Sequence, residues 1–320
     1  MICKMMIRSR RWQYLTVILI MGNVLPANVW ANGPPIQSDT AFVVGLQGGA
    51  IRSFFKDVRK STLLQNGKKI ADPMDSQMSA QVIPVMIPYE VIPNRFVAGA
   101  GIPYMQKELQ MTKAGVRTTL SNEGLGDLTV FGKYALYQRD KGSQTTRFTT
   151  KVEVKLPTAK ATSKDASGAL LPIRLQLGTG ATDITLGGIM TRLWKRLGVN
   201  SGVHYIFKTE GKGIQLGNVL KYDVAFAYRV WPKVYEVYPS PQWNVFVEWN
   251  GAVEQKQKAQ GQTVANSGGH TLFLSPGLQY IGGRTWLLEL SYQLPVMQEL
   301  NGVQLGTDRV ILAGFRWLIG

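Results

Sequence analysis

Apolar and polar residues alternate along most of the chain beyond its first thirty residues. Within residues 219–231, for example, Leu220 and Tyr222 alternate with Lys221 and Asp223. A β-strand turns successive side chains to opposite faces, so each such segment has one apolar and one polar wall. No run of eighteen apolar residues occurs after position 31. The pattern therefore predicts strands, and no helix that crosses a membrane.

The alternation predicts an all-β fold of about twelve strands. They are expected at 41–54, 77–91, 95–108, 125–139, 146–157, 181–194, 197–208, 218–231, 241–255, 270–281, 284–295 and 306–319. Most gaps between them alternate between long and short. This is typical of an antiparallel transmembrane β-barrel with long extracellular loops and short periplasmic turns, and an even strand count places both chain ends on the periplasmic side.

The aromatic residues give a second indication of a membrane barrel. Tryptophans prefer the headgroup level of a bilayer, and five of them fall at the short-turn ends of the predicted strands: Trp194, Trp231, Trp243, Trp286 and Trp317. The alternative is a soluble β-sandwich, which hides its apolar face and does not require this sorting. Segment 77–108 supports the barrel least, because Pro84, Pro88 and Pro103 cannot donate ladder hydrogen bonds.

The first residues have the layout of a secretory signal. Basic residues between Lys4 and Arg11 precede an uncharged apolar run from Trp12 to about Leu25, and Val29-Trp30-Ala31 suits a signal peptidase. Cleavage after Ala31 would leave residues 32–320 as one barrel domain, exported to the outer membrane of a Gram-negative bacterium. The alternative, a single membrane anchor, is disfavoured because Gly22, Asn23, Pro26 and Asn28 interrupt the apolar run.

Charge and cysteine usage restrict the partners further. The formal charge is +16, and it falls to +12 without the four basic residues of the predicted signal. Cys3 is the sole cysteine and lies in that signal, so no disulfide is expected in the mature chain. The positive charge indicates anionic neighbours such as lipopolysaccharide or anionic solutes. Nucleic acid is not expected as a partner of an exported chain.

Charged residues on the polar face of each predicted strand are expected to line the lumen. Placing one of them against lipid at the bilayer midplane would cost up to about 2–4 kcal/mol of free energy. They are Asp127, Lys133, Lys151, Glu153, Lys155, Asp183, Lys221, Asp223, Arg229, Glu248, Glu289 and Arg316. Two alternatives stay open for them: ion pairs that merely fill the barrel, or a conducting path. In the second case, Lys133, Lys151, Lys155, Lys221 and Arg229 are expected to favour anionic or weakly acidic solutes.

Several short motifs are spread over nearly the whole chain beyond residue 31: Val82-Ile-Pro-Val-Met-Ile-Pro-Tyr89, Gly101-Ile-Pro-Tyr104, Gly124-Leu-Gly-Asp-Leu128, Val154-Lys-Leu-Pro157, Gly178-Thr-Gly180 with Asp183, Ser275-Pro-Gly-Leu-Gln-Tyr280 and Ile311-Leu-Ala-Gly-Phe-Arg-Trp317. These segments resemble the family of outer-membrane "transporter" proteins named for a role in the meta-cleavage pathway of phenol degradation. The resemblance implies an outer-membrane barrel that handles aromatic or other hydrophobic compounds. Gly320 departs from the usual terminal aromatic, which leaves Phe315 and Trp317 for recognition by the barrel-assembly machinery.

The leading functional hypothesis is a passive channel for small solutes. Only about eight residues are expected before the first strand, too few for a plug domain or an N-terminal hatch, so the long loops are expected to gate. The alternative is a structural or surface-interaction barrel whose basic loop binds lipopolysaccharide or a partner through Lys56, Arg59, Lys60, Lys68 and Lys69.

Catalysis is not expected. A lipid hydrolase would require His270 near the outer surface, but Ser267 has no recognisable nucleophile setting and His204 falls on the inward wall. Two histidines, no mature cysteine and scattered carboxylates indicate no metal site. No cofactor is expected either, since Gly178-Thr-Gly180 lacks the lysine and helix of a phosphate-binding loop and is interpreted as a strand-entry turn.

Overall fold

The computed structural model describes residues 33–43, 48–141, 144–234, 240–283 and 285–319. Twelve long strands form the wall: β1 (Gly49–Lys60), β2 (Gln77–Ile92), β3 (Phe96–Lys113), β4 (Thr129–Lys141), β5 (Gln144–Lys155), β6 (Asp183–Trp194), β7 (Leu197–Lys208), β8 (Val219–Trp231), β9 (Gln242–Glu254), β10 (Gly269–Ile281), β11 (Trp286–Leu300) and β12 (Arg309–Ile319). Each strand pairs antiparallel with its neighbours in the chain. β1 also pairs with β12, which closes the barrel. The predicted all-β barrel is confirmed.

Side chains alternate between the outside and the lumen, as strand geometry requires. In β9, Asn244, Phe246 and Glu248 are buried, whereas Trp243 and Val245 are exposed. The outer face of the barrel is thus a broad apolar surface, which a water-soluble protein would not leave uncovered. Among the described residues, the single helical element is the 3-10 turn Ile173–Leu175, and no helix is long and apolar enough to span a bilayer.

The prediction for the first strand was wrong. Strand β1 begins at Gly49 instead of residue 41, and residues 33–43 are not part of the wall. We call residues 33–43 the N-terminal strap. Ala41 and Val43 have the alternation of a strand, but both side chains are buried inside the barrel. A spacing of two residues does not distinguish a wall strand from an extended segment enclosed by the wall.

The long loops form additional structure at one end of the barrel. β3 continues beyond the wall and pairs with an outer strand, Val116–Leu125. A three-stranded sheet joins Thr62–Gln65, Lys68–Lys69 and Val303–Gly306. A four-stranded sheet joins Glu210–Gly211, Ile214–Gln215, Lys258–Ala259 and Gln262–Thr263. These sheets restrain the loops on the side predicted to face the outside of the cell.

The proline-rich segment forms strands despite its missing donors. β2 pairs continuously with β3 from Gln77 to Glu90, including Pro84 opposite Pro103. Its ladder with β1 is interrupted, because pairing occurs at Ser53–Val85 and resumes at Lys56–Val82. A proline lacks the N–H that a ladder requires. The β1–β2 seam, the boundary between these two strands, is therefore weaker than an uninterrupted ladder would make it.

Candidate functional site

The N-terminal strap crosses the lumen in the half nearer the short turns. Its residues Ile36, Ala41 and Val43 are buried against the wall. Near one end it meets β9, β10 and β12, and near the other it meets β4, β5 and β6. The lumen is thus occupied by a segment of the chain's own N-terminal region, which the sequence interpretation did not predict.

Glu248 of β9 binds the backbone of the strap. Its carboxylate accepts hydrogen bonds from the backbone N–H groups of Ile36 at 2.8 Å, Gln37 at 3.0 Å and Ser38 at 2.7 Å. It also accepts the Ser38 hydroxyl at 2.7 Å. Glu248 is fully buried, and no ion pair to it is found among the described residues. The strap's own amides therefore replace a cation as the partner of this carboxylate.

Two arginines bind the carbonyl groups of the same part of the strap. Arg52 donates to Ile36 O at 2.6 Å and Arg316 donates to Pro35 O at 2.6 Å. Both guanidinium groups also pair with Glu289, each at 2.9 Å. Because Glu289 fixes both arginines, the two carbonyl-binding groups are held in place before the strap docks. Donors and acceptors of the strap are satisfied by different wall residues.

The other end of the strap is held by lysines and hydroxyl groups. Lys133 donates to Asp39 Oδ1 at 2.7 Å and to Thr40 O at 2.6 Å. Lys151 lies 3.4 Å from the second Asp39 oxygen. Thr191 accepts the Ala41 N–H at 2.8 Å, and Thr149 of β5 donates to Ala41 O at 2.6 Å. The wall thus contacts the strap residue by residue.

Asp39 carries the single negative charge of the strap. Burial alone would raise its pKa, but the ammonium groups of Lys133 and Lys151 and the hydrogen bond from Lys133 hold the pKa of Asp39 far below its ordinary range. A carboxylate with a lowered pKa stabilises the docked strap above its free pKa of about 4, and this contribution is lost only as the pH falls through the lower, docked value.

We therefore expect the contribution of Asp39 to strap docking to be unchanged between about pH 7 and about pH 5, because Asp39 stays ionised throughout that interval. Channel conductance in planar bilayers, recorded at both pH values, measures this. In Asp39→Asn the ion pairs are absent, so conductance should be higher than in the unaltered protein at both values. If the difference in conductance between the two proteins disappeared at about pH 5, Asp39 would have lost its charge there and the assignment would be contradicted.

Apolar contacts support the polar ones. Ile36 packs with Phe246, Leu312 and Ala227. Val43 packs with Val97 and Ala135 at the opposite wall. Full burial of a Val or Ile side chain is worth roughly 1.5–3 kcal/mol. The two clusters therefore contribute on the same scale as the hydrogen bonds to Glu248, and the docked strap is the stable arrangement.

On the long-loop side of the strap, charged residues form a connected network. Lys155 pairs with Asp127 at 2.7 Å and with Asp183 at 3.3 Å. Lys208 pairs with the same Asp183 at 2.8 Å. Asp127 also accepts the backbone N–H of Ala159 at 3.0 Å. These groups are paired with one another, so they stabilise the wall and leave no free charge for a solute.

Loop 156–182 lies over the mouth of the barrel. Its residues Leu175 and Gln176 are buried, and Lys107 of β3 donates to Gln176 O at 2.6 Å. Further along, Arg174 donates to Gln304 at 2.9 Å, which joins this loop to the loop between β11 and β12. A loop that starts between β5 and β6 thus reaches the other side of the opening. It restricts entry from outside.

Lys56 and Lys221 face the lumen, and neither has an ion pair among the described residues. Lys221 of β8 is turned inward by its strand, yet its side chain is exposed, so it borders open space within the barrel. Lys56 of β1 also faces inward, and its ammonium group and that of Lys221 repel each other. Glu153 is the acidic group that attracts Lys221 most strongly, and Glu153 itself pairs with Lys151 at 2.8 Å. Lys56 and Lys221 are therefore available to a solute.

The family of the chain is shown by a comparison of its sequence. A family model described as "Putative MetA-pathway of phenol degradation" matches residues 66–301, well over half of the chain and the region from β2 to β11. The chain belongs to this family. The resemblance found in the sequence is confirmed, and we refer below to the phenol-degradation family barrel.

Solved structures show that its fold is shared. An outer membrane channel from Pseudomonas putida F1 matches with a TM-score of 0.66 at 12% identity, over 89% of this chain and 100% of that chain. The β domain of the Bordetella autotransporter BrkA has a TM-score of 0.46 at 9% identity, over 85% and 99%. The CymD monoaromatic hydrocarbon channel matches with a TM-score of 0.38 at 8% identity, over 86% of this chain and 89% of that chain. A comparison with curated proteins gave no match.

The phenol-degradation family barrel is an outer-membrane protein. The sequence-predicted tryptophans lie at the short-turn ends of their strands, and Trp194, Trp231 and Trp317 are about half exposed on the outer face. Rings at this level border the apolar belt where headgroups meet hydrocarbon. The signal predicted for residues 1–31 lies outside the described residues and stays a prediction.

The predicted lumen residues separate into several groups in the phenol-degradation family barrel. Some contact the strap or its supporting cluster: Lys133, Lys151, Glu248, Glu289 and Arg316. Asp127, Lys155 and Asp183 form the network, while Glu153 pairs with Lys151. Arg229 is fully buried and Asp223 is half-buried. Of the five cations expected to attract anions, three are ion-paired and Arg229 is enclosed, which leaves Lys221.

One histidine of the phenol-degradation family barrel contacts a neighbouring tyrosine, and the other lies on the inward wall. His270 pairs with the Tyr222 hydroxyl at 2.7 Å, while the Ser267 hydroxyl donates to Val264 O at 2.6 Å. His204 is buried on the inward wall. No group of three potential metal ligands occurs in the part of the chain that the structure describes.

Sequence reasoning missed Asp39, Arg52 and Lys56 as lumen residues. Arg52 and Lys56 lie on one face of β1, while Ile51 and Phe55 lie on the opposite face. Extending the first strand beyond residue 54 would have placed Lys56 in the lumen instead of in the basic loop. No local signal separates Asp39 from a loop residue, because its role depends on Lys133 and Lys151, which are distant in the chain.

Proposed function

We propose that the barrel is a passive uptake channel for small aromatic or other hydrophobic compounds, in particular those with an anionic or weakly acidic group. The proposal rests on Lys56 and Lys221, which lie beside open space in the lumen and have no ion pair in the described part of the chain. A cation without a partner attracts an anionic group of a solute. The family description names phenol degradation, and phenols are weak acids. No enzymatic activity is part of the proposal.

Two features restrict the path of a solute. Loop 156–182 restricts entry at the mouth, and the N-terminal strap occupies the lumen below Lys56 and Lys221. Continued movement toward the short turns requires the strap to leave Glu248. Apolar solutes have an alternative exit through the β1–β2 seam, where the hydrogen-bond ladder is interrupted. We assign axial passage to ions and polar solutes, and lateral exit into the bilayer to apolar solutes.

Neutralising the two lysines should change ion selectivity. In Lys56→Gln/Lys221→Gln we expect the preference for anions over cations to fall about tenfold, which corresponds to about 1.4 kcal/mol. Reversal potentials under a salt gradient measure this. Lys68→Gln/Lys69→Gln removes two exposed charges outside the lumen and should leave selectivity unchanged. An unchanged reversal potential in the first variant would remove the basis for assigning anion preference to these lysines.

The alternative of a surface-interaction barrel predicts a different result. A barrel that only binds lipopolysaccharide through its basic loop would show neither conductance nor solute flux after refolding into liposomes. We expect uptake of benzoate and phenol into such liposomes to exceed that into protein-free liposomes. Equal uptake in the two preparations would favour the surface-interaction role.

A further inference from the structure

A basic groove lies on the outside of the barrel at the short-turn end of β4, β5 and β6. The groove has a volume of about 980 Å³, and its cations are Arg139, Lys141 and Arg192. Arg139 of β4 and Arg192 of β6 are both direct partners of Thr146 on β5, the strand between them. The two arginines therefore flank one outward-facing position. Neighbouring strands are about 4.8 Å apart, so the backbones of Arg139 and Arg192 are about 9.6 Å apart, and their long side chains can both reach one phosphate placed between them.

The three cations have no acidic partner among the described residues. The neighbouring Asp140 pairs instead with Arg147, at 3.2 Å. The groove therefore carries an uncompensated positive charge. A fixed guanidinium binds phosphate through parallel hydrogen bonds, and two of them around one site favour a phosphodiester over a single carboxylate.

The aromatic residues beside the groove fix its level in the membrane. Tyr137 and Phe148 form the next outward-facing row, with ring centroids 6.0 Å apart. Trp194 is an outward neighbour at the rim. Outward-facing arginines would be costly within hydrocarbon, so Arg139 and Arg192 belong to the headgroup layer and the rings to the edge of the acyl chains.

We propose that this groove binds the phosphate of an anionic phospholipid in the inner leaflet of the outer membrane. The phosphate would lie between Arg139 and Arg192, with Lys141 nearby and an acyl chain along Tyr137 and Phe148. The short-turn end faces the periplasm, so the glycerophospholipid leaflet supplies the ligand and lipopolysaccharide does not. A headgroup without its own cation fits best, because the site already has three positive charges. The proposal goes beyond the channel function and does not depend on it.

Native mass spectrometry of the refolded barrel in detergent tests the proposal, with phosphatidylglycerol and phosphatidylcholine as probes. We expect the unaltered protein to retain phosphatidylglycerol in preference to phosphatidylcholine. In Arg139→Gln/Arg192→Gln the affinity for phosphatidylglycerol should fall at least about fivefold, through loss of both charge-assisted contacts. Lys68→Gln/Lys69→Gln loses the same charge at the opposite end and should bind the lipid normally.

Three outcomes would overturn the proposal: equal loss of binding in both double variants, equal affinity for the two lipids, or displacement of phosphatidylglycerol by inorganic phosphate at equal concentration. The last would indicate a general anion site. Folding of each variant is checked by the heat-dependent shift in gel mobility of a closed barrel. Solute flux should be normal in Arg139→Gln/Arg192→Gln, so a failed channel function and a failed lipid site give different results.

Discussion

Replacing Glu248 by alanine should open the lumen. The change removes the acceptor of the Ile36, Gln37 and Ser38 amides and leaves those groups without their partner. Hydrogen bonds to a charged group contribute roughly 1.5–3 kcal/mol each, and water entering the vacated space will recover part of the loss. A net loss of about 3 kcal/mol shifts the docked and undocked populations of the strap by about 100-fold. Single-channel recording should show a large rise in open probability or conductance.

A matched variant separates strap release from a general change in lumen charge. Asp183→Asn also removes an inward carboxylate, but Asp183 pairs with Lys155 and Lys208 and does not contact the strap. Its conductance should be much closer to that of the unaltered protein. Deleting residues 33–43 should reproduce the effect of Glu248→Ala. If the deletion left conductance as low as before, the strap would not be what restricts the axial path.

The wall of the barrel was predictable because each strand is amphipathic on its own. The lipid side accepts only apolar residues, so parity alone distinguishes the two faces of segments such as 219–231 and 241–255. Strands β8 and β9 accordingly begin and end within one residue of their predicted bounds. The membrane, more than the partner strand, determines this pattern.

The strap was not predictable in the same way. Residues 33–43 lie between two walls of one lumen, and their polar groups are satisfied by residues up to 281 positions away. Ala41 and Val43 are buried in the lumen, whereas the same alternation in the wall would turn them toward lipid. The local pattern of apolar and polar residues does not tell whether an apolar side chain faces lipid or the lumen. The argument that too few residues precede the first strand for a hatch failed because that strand begins later than predicted.

The pairing of charges in the lumen was also beyond the sequence. The alternation of apolar and polar positions identified Lys133, Lys155 and Lys221 as inward-facing residues. It does not tell which of them has an acidic partner. Lys155 lies between two carboxylates, whereas Lys221 has none within ion-pair distance among the described residues. This difference arises from register across the strands and from loop residues such as Asp127. It decides which lysines stabilise the barrel and which remain available.

The interior of the barrel and the proposed solutes differ in polarity. Around the strap the lumen is lined by charged and hydrogen-bonding groups such as Glu248 and Arg316. An apolar solute gains little from such surroundings, whereas the outside of the wall is apolar. Exit through the wall avoids the polar half of the lumen. The β1–β2 seam is the suitable place, because its hydrogen-bond ladder is interrupted and Phe55, Ile83 and Ile87 on its outer side are exposed.

A disulfide across this seam should block apolar solutes but not ions. Ser53 and Val85 are direct partners on the outer face, and the lone natural cysteine, Cys3, lies in the predicted signal. Directly opposite residues have Cβ atoms about 4.5–5.5 Å apart, so a small adjustment allows Ser53→Cys/Val85→Cys to form a disulfide. Under oxidising conditions we expect uptake of toluene into liposomes to fall about tenfold, with recovery on reduction. Ion conductance should be unaffected, because the axial path does not use the seam.

The control is a disulfide across an uninterrupted seam. Met190 and Ser201 are direct partners in the continuous ladder between β6 and β7. Met190→Cys/Ser201→Cys adds the same covalent link without closing the proposed exit, so toluene uptake should not depend on the redox state. If both disulfides reduced toluene uptake equally, general stiffening of the wall would explain the effect. If neither did, apolar solutes would have to pass the strap, and Glu248→Ala would then raise toluene uptake together with ion conductance.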